Sequence, residues 1–138
     1  MYKFIDHTAD ICFEVEAKTL SGLFKGAALA TFDSMANLKK IQPKLTKKIK
    51  LKNHKIDNLL FEFIEELIFL KDAEYVLFSK FNIKINKLDD MFNLVAIIKG
   101  EKINPKKHEL KVDVKAITFH NFYLKKLSVY WYVFQNLL

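Results

Sequence analysis

The sequence has few residues that could cross-link the chain or form a flexible linker, and no segment that could span a membrane. Its single cysteine, Cys12, rules out any disulfide within the 138 residues and every cysteine-rich zinc module, and it suits a reducing cytoplasm. Three glycines and two prolines leave no flexible linker. No apolar run reaches the roughly 18 residues of a membrane helix, and the N-terminus has no signal peptide pattern. We therefore predict one cytoplasmic domain over residues 1–138.

Arginine is absent as well. All 23 basic residues are lysine, against 16 acidic residues, and the net charge is +7. Without guanidinium groups the chain cannot contact guanine edges in bidentate fashion, so we do not predict sequence-specific DNA binding. Lysine still attracts phosphate as a point charge, which leaves an RNA or a nucleotide-bearing partner open beside the simpler interpretation of solvated surface lysines.

The motifs of the common enzyme classes are also missing. There is no glycine-rich phosphate loop and no Gly-x-Ser-x-Gly, His-Glu-x-x-His or Cys-x-x-Cys pattern. A Cys12 nucleophile paired with His7, His108 or His120 is conceivable, but a lone cysteine on a strand is more often a small buried hydrophobe. The same histidines lack the spacing of zinc ligands. These absences remove the hydrolases, kinases and dinucleotide enzymes that a sequence motif would reveal.

Apolar periodicity in the first third of the chain predicts a strand and then a helix. Residues 10–17 alternate, with one side formed by Ile11, Phe13, Val15 and Ala17 and the other by Asp10, Cys12, Glu14 and Glu16. Spacings of three and four residues predict a helix over 20–37, capped by Thr19 or Ser21. Gly22 and Gly26 lie inside it, so we expect a close backbone approach or compensating packing.

The remaining pattern completes the predicted fold. Residues 45–52 read as a strand with a lysine-rich outer side, and 56–72 read as a second amphipathic helix. Further strand-like runs follow at 78–85, 92–99, 110–118, 122–127 and 129–134, with polar turns such as 87–90 between them. Short turns favour antiparallel pairing. We predict an α+β fold: a mostly antiparallel sheet with two amphipathic helices packed on it, and a core rich in phenylalanine.

Two polar segments are candidate functional sites. Residues 6–10 form a short corner with two carboxylates, Asp6 and Asp10, beside free loop carbonyls, which is the environment that calcium or magnesium requires. The same aspartates can instead terminate a turn through their own backbone hydrogen bonds. Residues 104–109 are predicted to form a turn or a contact surface. The residues alone do not decide between a metal site and a turn at 6–10, or between a turn and a contact surface at 104–109.

Longer stretches resemble the archease family, small proteins that assist RtcB-type RNA ligases in RNA repair and tRNA splicing. The resemblance lies in residues 6–16 (DHTADICFEVE), 23–35 (LFKGAALATFDSM), 59–85 (LLFEFIEELIFLKDAEYVLFSKFNIKI) and 100–120 (GEKINPKKHELKVDVKAITFH). It implies a non-catalytic accessory protein that promotes guanylylation of the ligase histidine, sustains multiple turnover and broadens nucleotide use. The expected partner is the ligase, and tRNA and GTP are engaged through it.

The resemblance also implies a metal site. In the family, the aspartate equivalent to Asp10 contributes to that site together with an aspartate just before the C-terminus. This chain has Asn136 there, which can still coordinate calcium, and the α-carboxylate of Leu138 can restore the missing charge. We therefore expect calcium or magnesium at these three residues. Candidate contacts to the ligase or its RNA are His7, Lys106, Lys107, His108 and Lys115.

Two rival functions belong to other classes. One is a lysine-rich RNA-binding module that works without a ligase, although no aromatic RNA-binding motif is present. The other is a metal-dependent hydrolase built on Asp6 and Asp10, which lacks a recognisable base or second metal cluster. Salt-dependent affinity for bare RNA would favour the first, and phosphoester turnover would favour the second.

Overall fold

The computed structural model describes residues 1–5, 11–126 and 131–137, and within these it describes the backbone alone at 119–121, 123 and 134–136. A 3₁₀ turn at Leu38–Lys40 follows the first long helix. The helices and strands, in chain order, are β1 (Tyr2–Ile5), β2 (Ile11–Ala17), α1 (Leu20–Asp33), β3 (Leu45–Asn53), α2 (Ile56–Glu74), β4 (Val76–Leu88), β5 (Met91–Lys102), α3 (Pro105–His108), β6 (Ile117–Lys126) and β7 (Trp131–Leu137).

The described strands form two antiparallel sheets. A four-stranded sheet has the order β1-β2-β7-β6, and a three-stranded sheet has the order β3-β5-β4. Both long helices contact both sheets: α1 packs on β2 and β4, and α2 packs on β3 and β6. The predicted antiparallel α+β fold is confirmed, with the helices lying between two sheets.

The helices begin where the sequence predicts. Thr19 caps α1, because its side-chain oxygen accepts a hydrogen bond from the Gly22 N–H at 3.0 Å. Gly26 allows the close backbone approach, since a Cβ there would lie 2.5 Å from Cγ1 of Val15 on β2. α2 ends at Glu74, and its C-cap residue, Tyr75, adopts the left-handed conformation with φ 57°. No helix formed by the described residues is long and apolar enough to cross a membrane.

Phenylalanine fills much of the interior, as predicted. The ring of Phe32 on α1 meets Phe78 edge-on at 5.7 Å and stacks on Phe81 at 5.9 Å, so it joins α1 to β4. Phe24 and Phe63 join the two long helices, with ring centroids 5.9 Å apart. The fully buried phenylalanines in the described residues are Phe13, Phe24, Phe32, Phe63 and Phe78.

The strand predicted over residues 110–118 is wrong for most of its length. The N–H groups of Lys111 and Val112 donate to the carbonyls of Met35 and Ser34 at 2.8 and 3.2 Å, beyond the end of α1. Residues 110–116 therefore pair with a helix end and remain irregular, and β6 starts only at Ile117. β6 spans the predicted boundary between 118 and 122, although its pairing register with β7 shifts between Thr118 and Tyr123.

Cys12 also departs from the predicted pattern. Alternation placed it on the polar side of β2, yet its side chain is only 1% exposed. β2 is a central strand, and Cys12 lies between Ile5 on β1 and Asn136 on β7. Side chains on the outer face of a central strand have neighbours on both sides, and this limits their exposure. The thiol is therefore buried, as expected of an unreactive structural cysteine.

Candidate functional site

Strand register brings three separate parts of the chain to one end of the four-stranded sheet. Ile11, the first residue of β2, pairs with Leu137 on β7, and Leu137 pairs with Ile117, the first residue of β6. We call this the Ile11 end of the sheet. β2 and β6 begin there and β7 ends there, so the polar segments that flank these strands in the sequence are attached to the same edge.

Most of the residues predicted to bind metal lie outside the described residues. Asp10 precedes β2 in the sequence and Leu138 follows β7, and the predicted partner contact His7 likewise lies outside the described residues. The backbone of Asn136 pairs with that of Cys12, one position along from the pairing of Ile11 with Leu137. Within residues 1–5, 11–126 and 131–137, no three histidine, cysteine or acidic side chains are grouped so that they could hold a metal ion. The predicted metal site stays a prediction.

A cluster of charged side chains leads into the Ile11 end. The Lys71 side chain on α2 is 5% exposed, and its Nζ lies 2.6 Å from Oδ1 of Asp72 and 2.8 Å from Oδ1 of Asp113. The same ammonium donates to the carbonyl of Val114 at 2.7 Å. Lys71 therefore anchors the irregular segment 110–116 to the C-terminal part of α2, immediately before β6 begins.

Lys115 completes this cluster at the surface. Its Nζ lies 2.7 Å from Oδ2 of Asp113, so this carboxylate bridges one buried and one exposed ammonium. Hydrogen bonds from Lys115 and then Lys71 lower the pKa of Asp113, and the hydrogen bond to Asp113 raises the pKa of Lys115. Lys115, a predicted partner contact, is thus an exposed cation held in place two residues before the Ile11 end.

A groove of about 650 Å³ lies beside this cluster. Residues 110–113 and the Lys71–Lys115 cluster contribute to its lining, with Tyr75 from the end of α2. Tyr75, Leu110 and Val112 are 68%, 47% and 50% exposed, although their side chains are largely apolar. Exposed apolar groups next to fixed charges are typical of a contact surface for another macromolecule.

The segment 104–109, predicted to form a turn or contact surface, is held by a buried histidine. Residues 105–108 form the short helix α3. Nδ1 of His108 accepts a hydrogen bond from the Asn104 N–H at 2.9 Å, so the imidazole proton resides on Nε2. Nε2 then donates to Oε1 of Glu101 at 2.6 Å. His108 is 0% exposed, so its imidazole supports the loop from inside, and its role as a partner contact stays a prediction.

Glu101 is the residue at the centre of this second cluster, and the sequence analysis missed it. Burial raises its pKa, but hydrogen bonds from Lys107, His108 and the Gln42 backbone outweigh burial and lower the pKa to about 2. Nζ of Lys107 lies 2.6 Å from Oε1. Glu101 lies two residues after Lys99 and shares the outward alternation of β5, so alternation gives no sequence signal for this ion pair, which is buried by contacts with Lys107 and His108.

The two remaining predicted contacts are near this cluster. Lys107 is half-buried, and its ammonium is engaged by Glu101, which fixes its position. Lys106 is exposed on α3, where its N–H donates to the side chain of Asn104 at 3.1 Å. Of the predicted contacts that the structure describes, Lys106 and Lys115 therefore present their charge to solvent most openly.

Sequence comparison identifies relatives over nearly the whole chain. The model described as "Archease protein family (MTH1598/TM1083)" matches residues 2–135. "Protein archease" from Thermococcus kodakarensis is 39% identical over 122 residues, covering 88% of this chain and 86% of that protein. "Protein archease" from Sulfurisphaera tokodaii is 35% identical over 130 residues, covering 94% and 92%.

Solved structures have the same architecture. The solution structure of Methanobacterium thermoautotrophicum protein 1598 matches with a TM-score of 0.88 and 32% identity, over 99% of this chain and 96% of that one. A crystal structure from Thermotoga maritima, described as "an archease, possible chaperone", matches with a TM-score of 0.64 over 99% and 96% of the two chains. At 17% identity, the second match is evidence for the fold alone.

Proposed function

Because the chain belongs to the archease family, we propose that it is a non-catalytic protein cofactor of an RtcB-type RNA ligase in tRNA splicing and RNA repair. In this proposal it promotes guanylylation of the ligase histidine and sustains multiple turnover in the cytoplasm. The tRNA and GTP are substrates of the ligase. The described residues provide what such a role needs, namely a groove with exposed apolar side chains and fixed cations at its margin.

The observation that carries the proposal is the pairing of Ile11 with Leu137. Asp10 is the residue before Ile11 and Leu138 is the residue after Leu137, so the paired backbones support a shared site for these two chain segments. A side-chain carboxylate, a terminal carboxylate and the amide oxygen of Asn136 are all hard oxygen ligands. We propose that they hold calcium or magnesium.

The mechanism follows from charge and position. A divalent ion, when bound there, supplies positive charge that suits the phosphate oxygens of GTP. The protein contributes orientation: its oxygen ligands fix one edge of the site, and the groove beside Lys115 docks against the ligase. No bond to this chain is made or broken, which agrees with the absence of a nucleophile motif.

Substitution of Asp10 tests the metal-dependent part of the proposal. The chain is mixed with the ligase of the same organism, GTP and a divalent ion, and the formation of ligase–GMP is followed. Asp10→Ala is expected to abolish stimulation, because it removes a carboxylate ligand. Glu65→Ala removes an exposed carboxylate of α2 and serves as the matched control. Undiminished stimulation by Asp10→Ala would exclude Asp10 from the mechanism.

Asn136→Asp provides the converse test. Adding a carboxylate to the proposed ligand set is expected to strengthen calcium binding, since affinity rises with the number of charged ligands. Isothermal titration calorimetry of the purified chain measures this directly and needs no ligase. Calcium affinity that is the same in both proteins would show that residue 136 is not a ligand.

A further inference from the structure

Lysines concentrate on the outward face of the three-stranded sheet. Inward-facing positions such as Ile49, Ile83 and Leu94 are buried against the helices, so the alternate residues point outward. The outward positions, which we call the lysine face, are Thr46, Lys48, Lys50 and Lys52 on β3, Asn93, Val95, Ile97 and Lys99 on β5, and Lys80, Asn82, Lys84 and Asn86 on β4. Six of these twelve residues are lysine, and none is acidic.

Register sets the geometry of this face. Lys50 and Lys84 lie opposite Val95 from its two sides, and Lys80 lies opposite Lys99. Alternate residues along a strand are about 6.7 Å apart, and β3 is about 10 Å from β4 across β5. Three lysines on β3 and two on β4 therefore lie on either side of Lys99, which is on the central strand β5. Like charges directly opposite each other disfavour the folded sheet.

Nothing in the described chain neutralises these cations. None of the six lysines forms an ion pair with a residue that the structure describes. Lysines elsewhere do find carboxylates, among them Lys3, Lys44, Lys47, Lys71, Lys87, Lys107, Lys111 and Lys115. On the outer face of the four-stranded sheet, by contrast, the lysine of β1 has a carboxylate partner, because Lys3 pairs with Glu14.

Lysines on edge strands can also serve to block unwanted strand pairing. That explanation applies to β3 and β4, the two edges of this sheet. It does not apply to Lys99, which lies on the central strand β5. The face therefore has lysine on all three strands, and such a set of unpaired cations is complementary to a polyanion rather than to a neighbouring strand.

We propose that the lysine face binds the phosphate backbone of double-helical RNA. Lysine attracts phosphate without reading sequence, and asparagine can donate to and accept from the ribose 2′-hydroxyl. No aromatic side chain is present on the face, so unpaired bases have no surface on which to stack. A membrane-binding surface uses protruding aromatic or bulky apolar anchors, whereas the apolar residues of this face, Val95 and Ile97, are half-buried on the central strand between the lysines. This contact does not depend on the ligase proposal, in which RNA is held by the ligase alone.

Binding of the full chain to a fluorescently labelled RNA hairpin, measured by anisotropy at increasing salt, tests this inference. The test variant is Lys50→Gln/Lys84→Gln/Lys99→Gln, with one substitution on each strand. Because each phosphate contact contributes roughly 0.9 to the slope of log affinity against log salt, the slope should fall by two to three, and affinity near 0.1 M salt should fall about a hundredfold or more. The matched control, Lys18→Gln/Lys25→Gln/Lys39→Gln, changes net charge equally at exposed positions outside the face and should alter affinity only a few-fold.

Additional variants and ligands distinguish a loss of RNA binding from a folding defect, from binding of another polyanion and from a loss of ligase activation. Lys50→Arg/Lys84→Arg/Lys99→Arg retains the charge and should retain binding. The circular dichroism spectrum of the glutamine variant should match that of the unaltered chain, so that its loss of binding is not a folding defect. Unaltered hairpin binding in the glutamine variant, or an equal loss in the control, would overturn the inference. The inference would also be overturned if the glutamine variant lost binding to phosphatidylserine vesicles or polyglutamate but kept its binding to the RNA hairpin. Ligase–GMP formation without RNA should be unchanged in the glutamine variant, so this contact and ligase activation can fail separately.

Discussion

Glu101 gives the sharpest quantitative prediction, because its carboxylate is buried and yet charged. Replacing it with glutamine keeps the shape of the side chain and removes the charge that Lys107 and His108 surround. The pKa of Glu101 is about 2, compared with an ordinary value of 4.5. At about 1.4 kcal/mol per pKa unit, the charged carboxylate stabilises the fold by about 3 kcal/mol at neutral pH.

The sign of the pH dependence follows from this lowered pKa. The unfolded chain takes up the proton near pH 4.5, whereas the folded chain does so only near pH 2. The stabilisation is therefore complete above pH 4.5 and is lost as the pH falls towards 2. Glu101→Gln has no such proton to gain. The difference in unfolding free energy between the two proteins should be largest at neutral pH and shrink on acidification.

Urea unfolding followed by circular dichroism, from about pH 7 to about pH 2.5, measures this difference. Other carboxylates with lowered pKa, such as Asp113, are present in both proteins and cancel in the subtraction. Glu65→Gln, at an exposed position on α2, is the control and should track the wild type at every pH. Parallel loss of stability in the wild type and Glu101→Gln would refute the assignment of a charged Glu101 to the interior.

Three further outcomes are expected. Gly26→Ala should lower the free energy of unfolding in urea by about 1–3 kcal/mol, because the new methyl group meets Val15. Adding Val15→Ala to the same chain should offset part of this loss, and additive effects of the two substitutions on stability would contradict the contact. Burial, and then the hydrogen bond to Asp33, raises the pKa of Tyr2 to about 12, so the tyrosine that ionises last in an ultraviolet titration should be absent from Tyr2→Phe. The stability that the neutral phenol contributes should persist below pH 10 and decline as the pH rises towards 12. Thr19→Ala should cost about 1 kcal/mol through loss of the α1 cap, and an unchanged denaturation midpoint would refute that role.

The fold was predictable where local pattern and tertiary partner agree. The strands at 45–52, 78–85 and 92–99 alternate with period two, and each lies in β3, β4 or β5. The turn predicted at 87–90 contains Asp89 and Asp90, whose φ angles of 51° and 64° fit a two-residue hairpin loop. Here the sequence carries both the strand pattern and the connection between the strands.

Prediction failed where the partner is not a strand. Residues 110–116 alternate as a strand does, but two of their N–H groups bond to carbonyls at the end of α1, and Lys71 binds the carbonyl of Val114. Only Val114 of the three alternating apolar residues is buried, and Leu110 and Val112 remain exposed in the groove. Alternation predicts which side chains of a segment lie on the same face. It does not predict which backbone groups the segment bonds to, because that depends on the tertiary fold.

The clusters of the candidate site were harder still. Glu101 and His108 are seven positions apart, and only the end of β5 and the short α3 bring them together. Lys71 and Asp113 come from separate elements in the same way. Alternation and motif searches do not reveal such pairs, because their spacing follows from the path of the chain between them.

Insertion of β7 between β2 and β6 also constrains how the protein can assemble. β7 follows β6 in the chain and yet lies between β2 and β6, so the nascent chain must keep β2 and β6 apart until β7 has been synthesised. Until then Phe13 and Val15 lack their neighbouring strand on one side, and two backbone edges stay open to other chains. A chain that lacks the residues of β7 would therefore have a gap in the middle of the sheet rather than a frayed edge, and proteases would find backbone there that is normally paired.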